Sequence, residues 1–297
     1  SRADDLVQEQ TETENYALTV FTAQERKEWE PVIKEVEERT GWNVRVETGS
    51  AKEMLSQLEK EEADWDVAFG VSADALEEGK EYWQTGKDAW TGYSAVSFVI
   101  LYNTNVVTYR ELPTGWDSLL EPRWKGRVAV PDPLKSDMAA SVLTEAAKNS
   151  EKEEFLDLLA ENMQYQMPET FKEVEQGISD GRYSIGVTSE EAAKAMLAAG
   201  QDVDYIDPEE GECFFEDGTA IRKRTPNLDA SEAFVTYTTC DDTKWLLQTQ
   251  LLRQPAKDAV TNKDTSAEDL KQRLLSQQEV LSTWKTIMEE KDNEVHE

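Results

Sequence analysis

From Ala17 onward, short apolar runs alternate with longer amphipathic stretches. ALTVF (17–21) is apolar and β-branched, the pattern of a strand. TAQERKEWEPVIKEVEERTG follows, with Trp29, Val32, Ile33 and Val36 on one helical stripe. Thr22 and Glu25 have capping-box spacing, and Gly41 suits the position just past the last turn. WNVRVE (42–47) is the next expected strand. AKEMLSQLEKEE predicts a helix with Met54, Leu55 and Leu58 inward, WDVAF (65–69) a strand halted at Gly70, and SADALEEG a short helix. AVSFVILYN (95–103) is almost continuously apolar, as a strand deep in a sheet must be.

A second round follows. GRVAVPDP (126–133) predicts a strand stopped by proline. SDMAASVLTEAAKN, EEFLDLLAENM and FKEVEQGISDG predict helices. YSIGV (183–187) and VDYID (203–207) read as strands on either side of a helix, SEEAAKAMLAAG, that stops at Gly200. CFFEDGTAIRK is an extended return to the first round. DASEAFVTYTTC, TKWLLQTQLL and SAEDLKQRLLSQQEVLSTWKTIMEE are helical. The alternation predicts an α/β fold with mostly parallel sheets and helices on both faces. Two rounds predict two lobes with a hinge and an interlobe cleft. The expected division is a disordered tether over 1–16, a first lobe from 17–101 plus 219–262, a second from 102–218 plus 263–290, and a charged tail over 291–297.

Composition changes the picture in three places. With 297 residues, 38% hydrophobic, nine Trp and nine Tyr, the chain can build cores despite a mean hydropathy of -0.68. The formal charge of -31 repels phosphate backbones, so nucleic acid is not an expected partner; it keeps the chain soluble, or forms a patch that gathers cations. Cys213 and Cys240 are the two cysteines, too few for a zinc ribbon or an iron–sulfur site, and they either pair as one disulfide or stay free. No apolar run is long enough to cross a bilayer, and no signal peptide is expected.

Several motifs then carry a resemblance. EPRWKGRVAVPDP (121–133) resembles the P-x-W/Y-K-G-x-hydrophobic-x-x-x-D/N-P stretch of bacterial extracellular solute-binding proteins, which serve ABC importers for ferric iron, polyamines, phosphonates and sugar phosphates. ADWDVAFG (63–70), SFVILYNTNVV (97–107), LPTGWDSLLEPRWKG and LDASEAFVTY (228–237) are similar to other stretches of that family, in its order, over roughly residues 17 to 285. The resemblance implies a type II periplasmic-binding-protein-like fold, a ligand held between two lobes, a membrane permease as partner and no catalysis; a monomer with no cofactor and no metal-ligating residues is expected. An extracellular or periplasmic protein is expected, and the polar, aperiodic SRADDLVQEQTETENY (1–16) reads either as the tether behind a lipidated cysteine or as a disordered terminus.

The strand ends point to the same place. Ligands of open parallel sheets sit beyond the carboxyl ends of the strands, where helix N-termini offer N–H groups and a partial positive charge. These positions are Thr22, Ala23, Gly49, Ser50, Gly70, Val71 and Ser72 in the first lobe, and Ser136, Asp137, Met138, Thr188 and Ser189 in the second. Glycine admits close backbone approach. Each hydroxyl equally suits a helix cap, and Thr188 has Glu191 in capping-box register. Trp90 and Tyr93, just before the long strand, either line the cleft or pack; Asp217 either faces the cleft or makes a turn.

Ferric-binding members resemble one another in a tyrosine pair after the strand matching YSIGV. Here that stretch is TSEEAAKAM, with Glu190 and Glu191 in the place of the pair. A small anionic organic solute, a sugar phosphate or phosphonate, is the expected ligand, although only Lys135 brings a cation near. Capture of ferric iron or another metal complex without a tyrosine pair and an extracellular sensor domain are the alternatives. An enzyme is the remaining one. His296 is the only histidine, and G-x-S-x-G, Walker and dinucleotide motifs are missing, so only carboxylates such as Asp137, Glu190 or Asp217 remain for chemistry.

Overall fold

The structure, a computed structural model, describes residues 15–84, 86, 89–256 and 267–296. All but the last two residues of the expected tether, and the expected lobe junction at 262/263, lie outside them. In chain order the elements open with β1 (Leu18–Thr22), α1 (Arg26–Thr40), β2 (Val44–Thr48), α2 (Ala51–Glu59), β3 (Val67–Ser72), α3 (Ala73–Glu78) and β4 (Thr91–Asn103). Next come β5 (Val128–Ala129), α4 (Asp137–Asn149), α5 (Phe155–Asn162), α6 (Phe171–Ser179), β6 (Ile185–Ser189), α7 (Glu190–Ala198), β7 (Val203–Ile206) and β8 (Phe214–Ile221). Then follow α8 (Leu228–Thr238), α9 (Asp241–Leu246), a π-helical turn (Leu247–Leu251), β9 (Gln254–Pro255) and α10 (Ala267–His296).

The chain divides into two compact units, Ser1–Ser94 with Glu216–Leu270 and Ala95–Phe215 with Lys271–Glu297. Two of the divisions fall inside β4 and β8. The hydrophobic alternation of a strand runs on unchanged there, so the sequence carries no mark of the change of unit.

In unit 1 the strand order is β2-β1-β3-β8, with β1 parallel to both neighbours and β8 antiparallel to β3. Alternation sends Leu18, Val20, Val67 and Phe69 to one core and Phe21 and Ala68 to the other. Contrary to expectation, β3 does not stop at Gly70. It continues to Ser72 through a bulge between Phe69 and Val71, with Gly70 at φ 64°, so Val71 joins the Ala68 face. Helix α1 buries Val32, Ile33 and Val36 and closes on Gly41 at φ 72°, whose N–H reaches the Glu37 carbonyl.

In unit 2, β4 pairs antiparallel with β6 and β7, and β5 pairs parallel with β6. The sheets are therefore mixed, not mostly parallel. Parallel pairing needs a crossover helix between partners, and β4 enters unit 2 directly as a strand. Its Val96, Phe98, Ile100 and Tyr102 face one core and Val99 and Leu101 the other. Helix α10 buries Leu274, Trp284 and Ile287 at helical spacing. Residues 291–296, in the expected charged tail, extend this helix, and Lys291 Nζ sits 4.8 Å from the Tyr165 ring centre.

Candidate functional site

Four serines sit where a strand or loop turns into a helix. Ser50 Oγ accepts the Glu53 N–H at 3.1 Å while the Glu53 carboxylate takes the Ser50 N–H, a complete capping box at the start of α2. Ser72, which ends β3, caps α3 through the Ala75 N–H at 3.4 Å. In unit 2, Ser136 caps α4 through the Ala139 N–H at 3.2 Å, and Ser189, which ends β6, caps α7 through the Ala192 N–H at 3.1 Å. Each hydroxyl thus satisfies one of the four N–H groups a helix start leaves open.

The two threonines do something else. Thr22 makes no capping box: α1 starts at Arg26, and Thr22 Oγ1 instead accepts the Gln24 N–H at 3.1 Å in a short turn. Thr188 is likewise no cap, because β6 runs one residue further. Buried within the sheet, it donates to Glu175 of α6 at 2.7 Å.

Gly49 donates its N–H to the Thr22 carbonyl at 3.1 Å, and a Cβ there would run into the Glu53 carboxylate and the Phe21 ring. Its smallness therefore serves the capping box. A Cβ on Gly70 would collide with the Gln24 side chain. Gln24 lies over this point of β3 and donates to Asp217 Oδ2 at 3.2 Å.

Asp217 is the centre of a buried polar cluster in unit 1, neither a turn residue nor an exposed group. Its side chain is 0% exposed and accepts the Ser94 N–H at 2.9 Å, the Ser94 hydroxyl at 2.6 Å and Arg253 Nη1 at 2.8 Å. Arg253, 5% exposed, also donates to Ser94 Oγ at 3.0 Å and to Glu28 Oε2 at 3.0 Å. Burial raises the Asp217 carboxyl above its ordinary range, against the pull of Arg253 and of the hydrogen bonds from Ser94 and Gln24. Burial works against the Arg253 charge too, but Glu28 and Asp217 outweigh it, and its pKa is raised. Tyr93 packs 4.7 Å from Phe69; burial, then the Asp217 charge, holds its phenol well above the usual range.

Sequence reasoning singled out Asp217 and Tyr93 and missed Gln24, Glu28, Ser94 and Arg253. No spacing links them: Arg253 lies 36 residues from Asp217 and 225 from Glu28. An arginine just past the apolar TKWLLQTQLL was the one available signal.

In unit 1 the structure gathers most of the expected residues. Thr22 meets Gly49, Val71 pairs with Gly218, and Ser72 pairs with Asp217 beside Gly70 and Gln24. Ala23 packs against the core of Phe21 and Val71. Trp90 shares the buried core of Phe21 and Val71 and lies against Gly218, with its Nε1 donating at 3.0 Å to Glu77 of the helix that Ser72 caps. In unit 2, Asp137 and Met138 open α4 half-buried, and α6 lies beside both of that unit's groups: Lys135 pairs with Glu169 just before it, and Thr188 binds Glu175 within it. Glu190 and Glu191 pair with Lys194 at 3.4 and 3.9 Å. Among the described residues, no group of three or more His, Cys, Asp or Glu is placed to hold a metal ion. Cys213 and Cys240 are free, so the disulfide alternative is not realised.

Residues 71–281 match the family model described as bacterial extracellular solute-binding protein. No curated protein matches the sequence. Among solved structures, the chain is similar to the periplasmic binding protein AfuA from Actinobacillus pleuropneumoniae with fructose-6-phosphate bound (TM-score 0.74, 14% identity, 92% of this chain and 98% of that one). It is similar to the apo ferric ion-binding protein A of Pasteurella haemolytica (TM-score 0.70, 18% identity, 90% and 97%). It also matches a two-component system protein described as mediating signal transduction (TM-score 0.66, 20% identity, 86% and 92%). At these identities the likeness is one of fold, that of the two-lobed periplasmic binding proteins.

Proposed function

Because the chain belongs to the family of bacterial extracellular solute-binding proteins, we propose that it captures a small anionic organic solute, a sugar phosphate or a phosphonate, between two lobes that close around it. The family is that of the extracellular or periplasmic component of ABC importers, which passes a small molecule to a membrane permease; it is a transport family and not an enzyme family. In this reading the protein is a monomer, held at the membrane as a lipoprotein through the chain ahead of Ala17.

The observation that carries the reading is the repeated serine cap. Ser72 in unit 1 and Ser189 in unit 2 end β3 and β6, Ser50 follows β2 after Gly49, and each caps a helix. Helix starts at strand ends carry partial positive charge, and they suit an oxyanion without requiring a metal. Lys135 is engaged by Glu169, and Arg253 is buried with Asp217 and Glu28, so helix starts and hydroxyls would meet the ligand's charge. AfuA, with its bound fructose-6-phosphate, fits this chemistry. The proposed solute contacts are Thr22, Ala23, Gly49, Ser50, Gly70, Val71 and Ser72 on one side and Ser136, Asp137, Met138, Thr188 and Ser189 on the other. Asp217 is assigned to holding the strand ends in place. The likeness to a signal-transduction protein favours one second reading, a sensor domain that reports the same closure to a partner protein.

A thermal-shift screen of sugar phosphates, phosphonates, polyamines and ferric citrate tests the ligand class. A true ligand at a hundredfold its Kd stabilises by about 2.7 kcal/mol. A response to ferric citrate or a polyamine alone overturns the anionic-solute reading. Small-angle scattering with the responding solute should show a smaller radius of gyration, and an unchanged one overturns closure.

A further inference from the structure

We propose that Gln24 is a positioning residue: its side chain straps the ends of β1, β3 and β8 together, and so fixes the solute contacts at Thr22, Gly70 and Ser72 relative to one another. The inference rests on the reading that these strand ends meet a solute, and it adds a residue that acts on the solute only through its neighbours.

The three strands are adjacent in the sheet, in the order β1-β3-β8. Gln24 starts at the end of β1, where its N–H donates to Thr22 Oγ1 at 3.1 Å. The side chain then crosses β3 at Gly70, the bulge residue at φ 64°: a Cβ on Gly70 would fall onto Cγ, Cδ and Nε2 of Gln24. It finishes on β8, where Nε2 donates to Asp217 Oδ2 at 3.2 Å. Asp217 is the register partner of Ser72, the last residue of β3. One side chain thus spans the strand ends that carry Thr22, Ala23, Gly70, Val71 and Ser72.

The far end of the strap is anchored beyond β3. Asp217 also accepts the N–H and the hydroxyl of Ser94, at 2.9 and 2.6 Å. Ser94 is the last residue of unit 1 on β4, and Asp217 is the second residue of unit 1 on β8. The strap therefore ends at the two strands on which the chain leaves unit 1, and a shift of Thr22 or Gly70 reaches both through Gln24 and Asp217.

Packing alone does not account for an amide here. Gln24 is 9% exposed, and its Oε1 is buried with no hydrogen-bond partner among the described residues. A buried acceptor left this way costs stability, and a methionine of similar length would cover Gly70 without it. What only the amide supplies is the donor to Asp217. Binding groups must be held within about 0.5 Å of their productive geometry, and a hydrogen-bonded strap does this where an apolar one slides.

Gln24→Met and Gln24→Glu, made in the full chain, are the tests. Gln24→Met keeps the length and loses the donor. Its Tm should stay within about 3 °C of wild type, since one bond and one unpartnered acceptor leave together. Amide hydrogen exchange without ligand should be faster over residues 67–76 and 91–97 and unchanged over 171–189. Glucose-6-phosphate, titrated calorimetrically, should bind about three- to tenfold more weakly. In Gln24→Glu a second carboxylate faces Asp217, beside Arg253 and Glu28, and the two acids hold together only through a shared proton. Its affinity relative to wild type should recover from about tenfold weaker at pH 8 to about threefold weaker at pH 5. Unchanged exchange over 67–76 in Gln24→Met, wild-type affinity in that variant, or a Gln24→Glu ratio that does not move with pH would overturn the proposal. A wild type that ignores glucose-6-phosphate counts against the sugar-phosphate reading instead, and the exchange comparison then decides this one by itself.

Discussion

Replacing Arg253 by methionine should destabilise unit 1 far more than an average substitution does. Methionine keeps much of the side-chain length but removes the charge that faces Asp217, at 0% exposure, and Glu28, at 15%. Losing one partner of a buried ion pair costs about 3–5 kcal/mol, because the other charge stays buried. Asp217 keeps the Ser94 N–H, the Ser94 hydroxyl and Gln24, so the lower part of that range applies, about 3–4 kcal/mol. For a chain of this size about 2–4 °C per kcal/mol follows, a fall in Tm of roughly 6–16 °C. The loss also depends on pH. A carboxyl with a raised folded-state pKa holds its proton more tightly when native, so the deficit is greatest near neutrality and shrinks as pH falls through that raised value. Asp217→Asn combined with Arg253→Met removes both charges and should recover at least about 1 kcal/mol over Arg253→Met alone. Melting the wild type, both single variants and the double variant at pH 7.5 and pH 5 decides the matter. A Tm loss below 2 °C for Arg253→Met, or a double variant no more stable than it, would refute the assignment of a coupled buried pair.

Other outcomes follow from single positions. Gly70→Ala should cost about 2–3 kcal/mol, combining left-handed backbone strain with displacement of Gln24, whereas Gly41→Ala, with the same backbone region and open space around it, should cost only about 1–2 kcal/mol; equal melting losses would remove Gln24 from the account. Burial pushes the Cys213 thiol up to about 12, so a thiol reagent at pH 7.5 should label the half-buried Cys240 of the folded protein and reach Cys213 only on unfolding. Ser50→Ala should cost about 1 kcal/mol of stability through loss of the capping box, and it should lower affinity for the solute found by the screen about tenfold while the fold persists by circular dichroism; full affinity would remove Ser50 from the site.

What the sequence alone determined is local. Ser50 with Glu53, Gly41 at the end of α1 and the apolar stripe of Val32, Ile33 and Val36 each work within one or two turns of chain, so their spacing announces them. Ordered motifs also carried the family. The partners of β4, the continuation of β3 past Gly70 and the use of Thr188 Oγ1 by α6 were decided only in the tertiary structure. The same holds for Asp217, whose partners come from Gln24, Ser94 and Arg253, 193, 123 and 36 residues away. A helix cap is closed by its own chain, whereas a buried charge is stable only once distant segments have displaced its water, and no spacing along the chain encodes which segments those are.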